Sequence, residues 1–121
     1  MLPNFYYQIH QEFVAILQQL QADAKHTEPD MLKLRQSFED AQQFFGQQVV
    51  NLDTSAIDPR IASRVRSYHT EIDKQLRLLG VDIMFWQAAR QPETANKRQT
   101  QITARIQTLI GYCEALLEAK S

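Results

Sequence analysis

Apolar residues recur at intervals of three and four through nearly all of this chain. The rhythm breaks only around KHTEP (25–29), NLDTSAID (51–58) and Pro92. Such spacing lines apolar side chains along one face of an α-helix, and no convincing two-residue alternation of a strand interrupts it. Three glycines and four prolines are far fewer than a turn-rich β protein needs. The chain reads as all-α, and its 121 residues are enough for one core and one domain, 1–121.

Four helices follow from the breaks. Helix one is predicted from about Asn4 to Lys25, with Asn4 as its cap and Phe5, Ile9, Phe13, Ile16, Leu17, Leu20 and Ala24 as its apolar stripe. Helix two is predicted from about Pro29 to Val50, with Thr27 as cap and Pro29 in its first turn. Its stripe is Met31, Leu34, Phe38, Ala41, Phe45 and Val49, and Gly46 within it is a cost without an evident reason. Asp58-Pro59 gives a cap followed by a proline, so helix three starts there and runs toward Arg90, where Pro92 stops it. That is roughly 45–50 Å of helix, long for so small a domain. Helix four is predicted from about Thr94 to Lys120, with Ile102, Ile106, Leu109, Cys113 and Leu116 as its seam. Short connections imply antiparallel neighbours, hence an antiparallel four-helix bundle with a long third helix.

Helix three carries more apolar surface than one core contact requires. At 100° per residue, Ile61, Val65, Tyr68, Ile72, Leu76, Leu79, Ile83 and Trp86 share one face. A second set, Leu78, Val81, Phe85 and Ala88 with Met84 at its edge, occupies roughly the opposite side of the C-terminal half. Such a helix is either covered on both sides or exposes a patch. Asp82 falls between the two faces, with no basic residue three or four positions away. If buried, it needs a cation or donor from another helix, and Arg35, Arg105 and Tyr112 are the candidates. Gly80, two residues earlier, allows close approach of a neighbouring helix at about 1 kcal/mol of helix propensity.

No reaction chemistry is legible. His10, His26 and His69 form no repeated Glu-x-x-His pattern, and Asp23-x-x-His26, the nearest approach, is expected to be solvated at a helix end. Neither a metal nor another cofactor is expected. Cys113 lies on the apolar seam of helix four and is expected to be a small core residue rather than a nucleophile. No phosphate-binding glycine loop or G-x-S-x-G occurs. The formal net charge of −1 disfavours a dedicated nucleic-acid binder. A nucleic-acid-binding regulator that uses Arg60, Arg64 and Arg66 at the start of helix three is the alternative function. These cations oppose the helix macrodipole, and Glu114 and Glu118 are expected to approach them. No signal peptide or membrane span is apparent, so a cytoplasmic location is expected.

KQLRLLGVDIMFWQAARQ (74–91) and QITARIQTLIGYCEALL (101–117) together resemble the PatD family of small cyanobacterial proteins, and LRQSFEDAQQFFGQQVVNL (34–52) is compatible in length and pattern. The resemblance implies a developmental regulator that limits heterocyst frequency and acts on the tubulin-like division protein FtsZ by modulating its assembly. It supplies no binding residues. From the residues themselves, Leu78, Val81, Met84 and Phe85 are the first candidates for a protein contact, Arg60 and Arg64 the second, and Asp82 a structural polar group. The same stripe would also serve a homodimer.

Overall fold

Helix starts in this molecule are set by which side chain reaches the first free N–H groups. In the computed structural model, which describes residues 3–118, four helices follow in order: α1 (Asn4–Lys25), α2 (Met31–Phe44), α3 (Pro59–Ala88) and α4 (Pro92–Glu118). A π-helical turn, Phe45–Val49, prolongs α2, and no strand occurs among the described residues. Asp58 caps α3 as anticipated: its carboxylate accepts from the Arg60 N–H at 2.9 Å, with Pro59 first in the helix.

Three starts differ from expectation. At α2 the cap is Asp30, not Thr27; its carboxylate accepts from the N–H groups of Leu32 (3.0 Å) and Lys33 (3.2 Å), which leaves Pro29 outside the helix. Asn4 is not a cap but the first residue of α1, behind a Pro3 whose carbonyl takes the Tyr6 N–H at 3.0 Å. Pro92 opens α4 instead of merely stopping α3, because its fixed φ suits a first helical turn. The expected end of α4 at Lys120 lies outside the described residues.

Side-chain contacts fix the topology. Asp23 meets Ser37 and Phe13 stacks on Phe44, so α1 and α2 are antiparallel. Asp82 meets Arg105 and Tyr68 meets Tyr112, so α3 and α4 are antiparallel too. Gln21 donates to Gln107 and Gln99 to the Ala24 carbonyl, which sets α4 antiparallel to α1. The result is an up-down-up-down bundle. The α1–α4 contact is the most extensive, α3–α4 and α1–α2 follow, and α2–α3 is a much thinner seam.

The core follows the predicted stripes of α2, α3 and α4, with Leu34, Val65, Ile72, Leu79, Ile106 and Leu109 fully buried. The N-terminal half of α1 does not. Phe5 is exposed and Ile9 only half-buried, while Tyr6 and His10 face inward. Both registers join Phe13 by steps of three or four. The inward one wins because His10 finds hydrogen-bond partners there. Gly80 does admit a close approach: a Cβ at that position would lie 3.0 Å from Phe38 Cζ and 3.2 Å from Cε2. Gly46 lies on the exposed side of the π-helical turn, where a Cβ would meet nothing within 4 Å.

Candidate interaction surface

The second stripe of α3 is solvent-facing, not core. Leu78 is 39%, Val81 43%, Phe85 50% and Met84 61% exposed, and Ala88 continues the strip toward the helix end. The helix turns its other face to α4 and α2, whose contacts are used up by Leu76, Leu79, Ile83 and Trp86. Among the described residues no helix covers the outward side, so four large apolar side chains stand on one surface.

Along the α4 edge of this strip lies a polar assembly. Asp82 is 7% exposed, and its Oδ2 accepts from Arg105 Nε at 2.7 Å. Of the three anticipated partners, Arg105 is the one that arrives: Arg35 instead donates to Gln87, and Tyr112 packs on Tyr68. Arg105 Nη1 also donates to Gln75 at 2.6 Å, which locks the guanidinium between two turns of α3. A second guanidinium, Arg98, stays 3.8 Å from Asp82 Oδ1 and donates to Gln101 at 3.3 Å. It spreads over the Phe85 ring at 4.8 Å from the centroid. One carboxylate thus serves two guanidiniums, and the closer one takes the strong charge-assisted bond. Gln75, Gln101, Ala104 and Thr108 complete a shallow groove around them.

A partly buried histidine pair at the other end of the bundle has no counterpart in the sequence reading. His10 Nδ1 lies 2.8 Å from the Tyr6 carbonyl, and His10 Nε2 lies 3.0 Å from His69 Nε2 on α3. A carbonyl only accepts, so His10 carries its proton on Nδ1. Its bare Nε2 then accepts from His69 Nε2–H. Phe45 meets the His69 ring edge-on and Tyr6 stacks on His10, so His10 is shut off from water and His69 is half-buried. Burial pushes the His69 pKa down to about 4, with the neighbouring His10 adding to the effect, and burial lowers His10 too. Tyr6, fully buried with no partner for its hydroxyl among the described residues, is pushed up to about 12 by burial, with Arg66 opposing. Histidines 59 positions apart carry no local signal; only the register of α1 against α3 joins them.

The remaining candidates stand apart. Arg60 is exposed and lies 3.8 Å from its own cap Asp58, and Arg64 lies over Tyr68 at 5.9 Å. Neither forms an ion pair with Glu114 or Glu118 among the described residues, and neither adjoins the Leu78–Phe85 strip. Asp23 is not solvated at a helix end; it is buried, accepts from Ser37 and Gln19, and lies 3.7 Å from Lys33 Nζ. Cys113 is fully buried, and burial, with Glu114 adding to it, pushes its thiol up to about 12. No three His, Cys, Asp or Glu side chains gather as ligands among the described residues, and no helix there is long and apolar enough to cross a membrane. No family model, no curated protein and no solved structure matches the chain.

Proposed function

We propose that this chain is a regulator of the PatD type that acts in the cytoplasm by protein contact and not by chemistry, with FtsZ as its partner. The observation that carries the contact is the exposed strip of Leu78, Val81, Met84 and Phe85 on α3. Apolar side chains of this size lie outward on a small bundle at a cost in solubility, and a patch rimmed by polar groups is the usual mark of a binding site. FtsZ as partner, and heterocyst frequency as the process, rest on the resemblance in 74–91 and 101–117 alone. Arg98 over Phe85 adds a planar cation to the aromatic anchor, and both residue types are enriched in the cores of protein interfaces.

The test is FtsZ assembly followed by light scattering at increasing concentrations of this protein. Wild type is expected to change the assembly in a dose-dependent way, and Phe85→Asp, being on an exposed face, to keep the fold and lose the effect. An unaltered assembly curve with folded wild type would remove FtsZ as the direct partner. A Phe85→Asp protein as active as wild type would remove the strip.

A further inference from the structure

Charge is divided between the two halves of the bundle. Residues 1–58, which contain α1 and α2, hold three basic and eight acidic side chains; residues 59–121, which contain α3 and α4, hold ten basic and six acidic. The overall −1 conceals this division. Around the apolar strip the imbalance is local. Lys74 lies one turn before Leu78, and Arg77 one turn before Val81, on the same side of α3. Two of the nearby acids are paired, Asp73 with Arg77 at 2.8 Å and Asp82 with Arg105 at 2.7 Å, and Glu71, one turn before Lys74, is the acid left on this side. Lys74, which forms no ion pair among the described residues, and Arg98, which only shares the Asp82 carboxylate at 3.8 Å, are thus cations beside Leu78 and Phe85 that no acid holds closely.

Arg98 is already posed. Its guanidinium lies over Phe85 with the side chain 33% exposed, and among the described residues its polar partners are Gln101 at 3.3 Å and the far oxygen of Asp82 at 3.8 Å. A guanidinium has five N–H donors, so several remain for an incoming carboxylate, and little side-chain freedom is lost on binding. A second copy meeting this strip face to face would set two surroundings with an excess of cations against each other, which like-charge repulsion opposes.

We infer that the α3–α4 face binds an acidic amphipathic segment of another protein, whose apolar side chains cover Leu78, Val81, Met84 and Phe85 while a carboxylate takes Arg98. The inference rests on the protein-contact reading above and specifies the chemistry of the partner's segment.

Fluorescence anisotropy with two labelled helical peptides tests it. Both carry leucines at i, i+3, i+4 and i+7; one has glutamates at its other positions and one has lysines. The glutamate peptide is expected to bind the full chain and the lysine peptide not to bind. Raising salt from about 50 to about 300 mM is expected to weaken binding several-fold, because these charges are surface charges. Arg98→Gln is expected to weaken it at least tenfold and Lys74→Gln a few-fold, both with wild-type circular dichroism. Equal affinity for the two peptides overturns the inference, as does indifference to Arg98→Gln or binding of neither peptide at millimolar concentration. If FtsZ assembly responds to wild type and not to Phe85→Asp, yet ignores Arg98→Gln, the contact stands and acid recognition falls. If the glutamate peptide binds as expected while FtsZ does not respond, this chemistry stands and FtsZ falls. Self-assembly of the pure protein that the glutamate peptide reverses would make the acidic half of a second copy the occupant and overturn a separate partner.

Discussion

Asp82 illustrates how a single buried carboxylate is made tolerable. Removing such a group from water costs several kcal/mol, and the Arg105 bond at 2.7 Å, fixed in turn by Gln75, offsets that cost. Asp82→Ala is expected to destabilise the fold by about 2–4 kcal/mol, since it strands Arg105 in a partly buried site. The double change Asp82→Leu with Arg105→Met is expected to restore most of the loss, because a packed apolar pair of similar volume avoids the desolvation altogether. Urea unfolding midpoints of the two variants check both statements; equal losses would mean that the ion pair itself supplies the stability. Much of this residue's setting is legible in the sequence. Its place between two apolar faces and its lack of a local cation require a partner on another helix. That Arg98 would also come near, and lie over Phe85, depends on the exact offset of α4 along α3, which apolar periodicity leaves free by a turn.

Among the elements, α3 shows best what an amphipathic pattern can and cannot convey. Its start at Asp58-Pro59 and its two apolar stripes read directly from the residues, because cap chemistry and a 100° step are local properties. Exposure of the second stripe does not, since only the number and placement of neighbours decide it. In α1 the same ambiguity misled: Phe5 and Ile9 fit the periodicity as well as Tyr6 and His10 do, and the choice turned on a histidine 59 residues away. The π-helical turn at Phe45–Val49 left no signal beyond the unexplained Gly46. Gly80 sets the separation of α2 and α3. Gly80→Ala gains about 1 kcal/mol of helix propensity but drives a methyl group to 3.0 Å from Phe38, and overpacking of that kind costs about 1–3 kcal/mol. The expected outcome is a net loss of up to about 2 kcal/mol in wild type and a net gain in a Phe38→Leu background. Denaturant titrations of the four proteins in that cycle measure it, and a stabilised single variant would show that the seam is slack.

For the molecule as a whole, the His10–His69 bond ties α1 to α3 across the bundle diagonal and makes the fold sensitive to acid. Both rings are neutral in the folded protein, and His69 stays so down to about pH 4, whereas in the unfolded chain each titrates near 6.5. The unfolded state therefore binds more protons between those values. Stability is complete above about pH 6.5 and declines as pH falls toward 4, by up to roughly 3 kcal/mol from His69. His69→Phe is expected to flatten that part of the stability–pH curve, leaving the slope due to carboxylates below it; an unchanged slope would place the proton uptake elsewhere. The dominance of the α1–α4 contact has a further consequence, in time. α1 is made before the other three helices, and its main partner begins about 70 residues after it ends, at Pro92. At 5–20 residues per second the ribosome needs roughly 3–14 s to cover that distance. During synthesis the nascent helical hairpin of α1 and α2 must wait with its largest apolar face uncovered until α4 emerges to close the bundle.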